Sequence, residues 1–289
     1  MRYNDITKIK QRAIKPLWGL VILLFGLVLS GMLSPVEAQV TLCGDPLSPD
    51  PDGIYRLRGH LKCSINPILH IEEENSEFDL RGFTATGNLA NTGILIEADN
   101  VMIEGGNFRN CETALYINSF DGCEIKNFKA FDSSDKAIRI RGDNNTIIKS
   151  LCQHAGNDCF ELRGDGPIGN SAEWCTAIKS GTPEEQAQGI QFRGPGYAYR
   201  CFASGSSAEG FQIQEGISNV TIEQCHAVNN ALGGFVIEAG ATGNSIERNI
   251  AYANGDGTNY FDLSDGNVDC DANIWNENNF KNSNQSCIN

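Results

Sequence analysis

Residues 137–141 read Ala-Ile-Arg-Ile-Arg, and residues 159–163, 22 positions on, read Cys-Phe-Glu-Leu-Arg. The same five-residue pattern recurs outward in both directions, at 93–97, 114–118, 189–193, 210–214, 234–238 and 260–264, with spacings of 21, 23, 22, 30, 21, 24 and 26 residues along the chain. Its second member is always large and apolar (Ile94, Leu115, Ile138, Phe160, Ile190, Phe211, Phe235, Phe261), and so is its fourth. The third and fifth members are mostly polar. Alternation with a period of two sends one face inward and the other outward. A repeat near 22 residues leaves no room for a normal helix between parallel strands, but it fits three short strands and three turns. Equivalent residues of successive coils then stack about 4.8 Å apart. No coil can bury its core alone, so stability comes from neighbouring coils and the ends need caps. The expected fold is all-β, a single-stranded right-handed parallel β-helix of about eight to nine coils.

A second strand lies between these segments, at 101–104, 123–126, 146–149, 220–223 and 245–248, after turns rich in Asn, Asp and Gly. Such residues tolerate positive φ and bend the chain sharply. A further ladder is expected at Phe128, Leu151, Cys175, Cys201 and Cys225. It is followed two residues on by Ala130, Ala177, Ala203, Ala227 and Ala251, with Gln153 breaking the register in the coil at 148–159. The cysteine row reads either as small apolar core residues, as a redox or metal row, or as bridged neighbours.

The first 38 residues carry a basic start (Lys8, Lys10, Arg12, Lys15), an apolar run from Leu17 to Leu33, and Val36-Glu37-Ala38. This suits a secretory signal cleaved before Gln39, the alternative being a retained anchor at the short limit for a bilayer span. No later stretch is long and apolar enough to span a membrane. Residues 39–92 read as an N-terminal cap and first coil, 93–266 as the coils and 267–289 as a C-terminal cap. Cys43 and Cys63 flank the entry and Cys270 and Cys287 enclose the exit, so each pair is a candidate disulfide. Trp275 and Phe280 are candidates to cover the last coil. Eleven cysteines suit an oxidising compartment, secreted, periplasmic or at the cell envelope. The formal net charge is −14, and the basic leader makes the remainder more acidic still. That disfavours nucleic acid as a partner and keeps an exported chain soluble. The four histidines are scattered and no metal-ligand spacing appears, so no metal site is expected. No cofactor is called for. Asp262, Asp265, Asp269 and Asp271 could hold calcium or simply form a solvated turn.

Glu77–Gly87 (EFDLRGFTATG) followed by Gly93–Phe108 (GILIEADNVMIEGGNF) resembles the opening of many bacterial right-handed β-helix proteins of the pectin-lyase-like superfamily. The resemblance covers most of residues 54–288. It implies the fold, and with it a polysaccharide ligand, whereas members differ in activity. Polygalacturonases carry Asn-Thr-Asp-Gly and, one coil later, Gly-Asp-Asp-Cys. Here Ser133-Ser134-Asp135 is followed by Gly156-Asn157-Asp158-Cys159, so the resemblance implies catalytic roles for Asp135 and Asp158. Asn157 replaces that family's third aspartate, and its Gly-His-Gly and Arg-Ile-Lys motifs have no counterpart. The Asp-Pro-His-Asp motif of alginate epimerases is also absent.

The third and fifth positions should form two outward rows. Tyr116, Arg139, Arg141, Glu161, Arg163, Gln191, Arg193, Gln212 and Gln214 are the candidate substrate-binding residues. Arg141, Arg163 and Arg193 should stand in line, and stacked like charges are unfavourable unless neutralised. They either hold a uronate or sulfate, for which a guanidinium fork is suited, or join Arg139 and Glu161 in a solvated ion-pair face. Glycosidic hydrolysis usually needs two carboxyls about 5–9.5 Å apart. Only Asp135 and Asp158 are expected to meet that, because Glu161 has no outward acidic neighbour. The longer coil at 164–188 should add a loop beside the groove, with Trp174 either near sugar or in the core. Three functions follow: a polysaccharide-binding exported protein, a polysaccharide hydrolase or lyase, or a structural or adhesive envelope protein.

Overall fold

In the computed structural model, which describes residues 40–57, 59–182 and 185–288, nine parallel strands line up as the first wall of a solenoid. The expected targeting segment lies outside the described residues. The first-wall strands begin with Leu69–Ile71, Thr92–Ile96 and Thr113–Asn118. Ile138–Arg141, Phe160–Arg163 and Ile190–Phe192 make its centre, and Glu209–Ile213, Gly233–Ile237 and Leu263–Asp265 complete it. Their registers place Leu115, Ile138, Phe160, Ile190, Phe211 and Phe235 in one column, each paired with the next. Ile117, Ile140, Leu162, Phe192, Ile213 and Ile237 form the adjacent column, and every member of both is fully buried. Each such side chain contributes about 1.5–3 kcal/mol by leaving water. The Phe211 and Phe235 rings stack at 4.7 Å.

Apart from Val40–Leu42 and Asp45–Pro46, which extend the first wall antiparallel, the remaining strands form the other two walls, all parallel between successive coils. In the early coils one strand bends through both walls, as in Glu77–Thr86 and Met102–Arg109. In later coils the bend is a single left-handed residue, and Asn127, Lys149, Trp174, Arg200, Gln224 and Arg248 occupy it in turn with φ between 50° and 56°. Buried asparagines satisfy backbone groups at other bends. Asn145 Oδ1 accepts from Cys123 N (2.9 Å) and its Nδ2 donates to Asn170 Oδ1 (3.1 Å). Such pairing removes the cost of orphaned polar groups in the interior.

Three local expectations are corrected. Ser150, not Leu151, occupies the Phe128 position, its Oγ accepting from Phe128 N at 3.2 Å. Leu151 pairs with Lys129 on the outward side, and Cys152 stands between Ala130 and Ala177. The coil therefore keeps its register through a small residue, and Cys152 is bridged to Cys159. In the last coil, Leu263 rather than Phe261 pairs with Phe235, and Asp265 falls on the Ile237 column. That wholly buried carboxylate accepts from Trp275 Nε1 (2.9 Å) and Asn273 Nδ2 (3.1 Å), which turns the end of the core polar. Asp262 is also buried and accepts from Asn254 N (3.0 Å), so neither residue lies in a solvated turn.

At the entry, Val40–Leu42 pairs antiparallel with Leu69–Ile71 and covers the open edge. Cys43 is bridged to Cys63 and Cys270 to Cys287. Trp275 is buried over Ile246 in the closing coil, and Phe280 packs partly buried against the core. Cys111, Cys123, Cys175, Cys201 and Cys225 are buried free thiols. Burial pushes Cys111 and Cys123 up to about 11, which makes them inert packing residues.

Candidate functional site

The outer side of the first wall is built by the same alternation that fills the core. Ile138 and Ile140 point inward, so Arg139 and Arg141 point out. One strand on, Glu161 pairs with Arg139 and Arg163 with Arg141. Two neighbouring strands thus carry one pair of opposite charges and one pair of like charges.

The opposite pair belongs to a closed network. Glu161 Oε1 accepts from Arg139 Nε at 2.9 Å. Its Oε2 sits 3.4 Å from Lys136 Nζ and 3.5 Å from Arg193 Nε, yet accepts no well-aligned hydrogen bond. Lys136 Nζ also lies 3.2 Å from Asp158 Oδ2 and 4.0 Å from Asp135 Oδ1. One ammonium therefore gathers three carboxylates, and Glu161 does have an acidic neighbour, Asp158. Asp158 Oδ1 accepts from Gln188 N at 2.9 Å, and burial raises its pKa. The network continues through Gln188 Nε2 to Glu209 (2.9 Å), Gln191 Nε2 to Gln212 (2.6 Å) and Gln212 Nε2 to Glu238 (2.7 Å). Burial raises Glu209 as well.

Glu161, Asp158, Gln191, Gln212 and Lys136 are all buried although they lie on the outer side of the wall. The expected open row of sugar contacts is closed over its middle because long polar side chains bond along it. Arg139, Arg193, Tyr116 and Gln214 remain half-buried at its surface. Arg193 turns inward, its Nε donating to Gln191 Oε1 at 2.6 Å, and so leaves the expected line of arginines. Lys136 is the principal member that sequence reading missed. Its signal was a cation between Asp135 and the apolar strand, one coil below Asp158.

The like pair has a different environment. Arg141 is half-buried and Arg163 exposed, and neither has a carboxylate among its described ion-pair partners. Both line a hollow of about 310 Å³ with Ser119, Asp121, Asp143 and Asp165. Two polar atoms at its edge are buried without a hydrogen bond, Arg141 Nε and Asp143 Oδ1. An aspartate ladder explains the second. Asp99 Oδ1 accepts from Asp121 N (2.8 Å), and Asp121 Oδ1 accepts from Asp143 N (2.6 Å). The longer turn after Arg163 breaks the ladder, and Asp143 loses its partner. A Cβ on Gly164 would stand 2.3 Å from Asp143 Oδ1, so any side chain there would push that carboxylate aside.

Trp174 is 45% exposed, so it does not fill the core. The extra residues of the long coil fall mainly before Ile190, where Ser207 Oγ donates to Glu185 O, beside Gln188 rather than beside Arg163.

Residues 92–280 match the family described as the right handed beta helix region, and the chain belongs to that family. A right-handed parallel β-helix is what its coils form. No curated protein matches the chain. Similar solved folds include Geobacillus virus E2 ORF18, at 11% identity over 80% of this chain and 56% of that one, with a TM-score of 0.49. The periplasmic alginate epimerase AlgG gives 12% identity, coverage of 78% and 51%, and a TM-score of 0.47. The A-module of Azotobacter vinelandii mannuronan C-5 epimerase AlgE4 gives 12%, coverage of 80% and 83%, and 0.47. The chain spans about half the length of the first two. At these identities the likeness is one of fold. Among the described residues, no helix is long and apolar enough to cross a membrane.

Proposed function

We propose that this is an exported protein that binds an acidic polysaccharide along the outer side of the first wall, with Arg141 and Arg163 holding a carboxylate or sulfate. The observation that carries this reading is the arginine pair on adjacent strands, with no ion-pair partner among the described residues, lining a hollow in a chain of net charge −14. A guanidinium fork recognises carboxylate and sulfate oxygens in two-point fashion. Tyr116 lies beside the site, 5.4 Å from the Arg139 guanidinium and 5.7 Å from that of Arg141, and supplies a flat surface for a sugar ring. Three disulfides support an oxidising, exported location.

The gathering of Asp135, Asp158 and Glu161 on Lys136 favours a second reading, hydrolysis or elimination at that cluster. A buried acid with a raised pKa suits proton donation. Asp158 is closed off from solvent, however, and both its oxygens are bonded, so this reading needs the network to open on binding. A panel of pectate, alginate and sulfated and neutral glycans tests both. Binding to acidic members that falls tenfold or more in R141A/R163A, without release of reducing ends or unsaturated uronate, is the expected result. Turnover lost in D158N would replace it with the catalytic reading. Equal binding by wild type and double variant would remove the arginine pair.

A further inference from the structure

A second feature lies on the other side of the solenoid, at the bend between the second and third walls. Trp174 holds that bend with φ 56°, in a column whose other members are Asn127, Lys149, Arg200, Gln224, Arg248 and Glu277. A left-handed backbone is unfavourable for a bulky residue, and this ring gains little burial in return, being 45% exposed. Neighbouring side chains nonetheless fix its orientation. The Tyr199 ring meets it edge-on at 6.2 Å and stacks on Tyr197 at 5.9 Å. The Arg200 guanidinium lies over both Trp174 (4.6 Å) and Tyr199 (4.9 Å).

Next to this ring is a hollow of about 510 Å³ whose lining includes Trp174, Arg200, Phe202, Gln224, His226 and Arg248. No acid lines it. Arg248 is paired with Glu223 and Glu247, whereas among the described residues the Arg200 side chain is held by Gln224 Oε1 (2.9 Å) and the two rings. Its positive charge thus lies at an aromatic surface with no carboxylate among its described partners. Ligand sites combine such aromatic lining with a few placed polar groups. A pyranose ring has apolar faces for Trp174 and Phe202 and hydroxyl edges for Gln224 and His226. A carboxylate or sulfate on that ring would complement Arg200.

We infer that Trp174, Phe202 and Arg200 form a second binding site for an acidic sugar unit, distinct from the arginine pair of the first wall. The ligand class rests on the acidic-polysaccharide reading, whereas the location does not. The chain has three tryptophans, of which Trp18 lies in the expected leader and Trp275 is buried, so Trp174 is the reporter of this hollow. The test is fluorescence titration of the disulfide-bonded protein with galacturonate and mannuronate hexamers, and with cellohexaose as the neutral control. Wild type should give a saturable change with the acidic hexamers alone. The change should weaken at least tenfold in R200A and persist in R141A/R163A. A parallel calorimetric titration of W174N, whose asparagine suits the left-handed backbone, should show the loss of one class of sites.

Unchanged calorimetric binding in W174N, with loss in R141A/R163A, would overturn this site and leave the first-wall reading standing. Loss in W174N with full binding in R141A/R163A would support this site and overturn the first-wall reading. A Trp174 response to cellohexaose equal to that for the uronates would overturn the acidic specificity, and no response to any hexamer would overturn the site.

Discussion

The strands Ile138–Arg141 and Phe160–Arg163 carry two outward pairs only two residues apart, and the pairs have opposite characters. Arg139 and Glu161 are complementary, hydrogen-bonded and enclosed by Lys136, Arg193 and Gln191. Arg141 and Arg163 repel, face a hollow and leave a buried guanidinium nitrogen unpartnered. Both pairs arise from one sheet with one register, so the backbone does not account for the difference. The neighbouring coils do. At the first pair they supply matching groups, and at the second the aspartate ladder fails where the turn after Arg163 lengthens. Saturated charge on this wall is structural, and under the proposed function unsaturated charge is where the ligand docks.

The largest test of that contrast is Lys136→Met. It leaves Asp158 and Glu161 buried around an apolar side chain, and removing one partner of a buried ionic group costs about 3–5 kcal/mol. Urea unfolding should show this, and a loss below about 1 kcal/mol would mean that the network is not structural. Glu161→Gln should cost less, about 1.5–3 kcal/mol, because a charge-assisted bond is lost while Lys136 keeps Asp158.

The pH dependence of Asp158 is the next test. Its folded pKa is raised above the ordinary 3.8, so the native state binds that proton more tightly than the unfolded chain does. Stability from this group is fully present below 3.8 and is lost as pH rises through the folded pKa. The melting-temperature gap of wild type over D158N should therefore shrink as pH rises from 3.5. A gap independent of pH would show that Asp158 titrates normally. The smallest effect on stability is expected from R141A/R163A, within about 0.5 kcal/mol in the absence of ligand, since the pair makes no ion pair among the described residues.

Much of this was legible in the sequence, and the exceptions have physical causes. The apolar columns through Ile138, Phe160 and Ile190 follow from period two at a spacing of one coil. The positions of Arg141 and Arg163 follow from the same rule. Burial of Glu161 and Gln191 did not, because alternation tells which side of a sheet a residue occupies but not what covers it. Lys136 escaped because it stands at a bend, outside the five-residue pattern. Its partner Asp158 is adjacent only through stacking. The Phe261 register was misread because Tyr260–Ser264 imitates the repeat while Asp265 is the residue that enters the column. Cys152 was overlooked because Leu151 looked like the core residue of its coil, which concealed both the Ser150 register and the bridge to Cys159.

The most direct test of the distinction between saturated and unsaturated charge is a calorimetric melt of wild type and R141A/R163A, each with and without an excess of the acidic oligosaccharide that binds best. The prediction is equal melting temperatures without ligand and a larger upward shift for wild type than for the double variant, since a ligand at 100 times its Kd adds about 2.7 kcal/mol at each site it fills. An equal ligand-induced shift in both proteins, or a marked fall in the double variant before ligand is added, would contradict it.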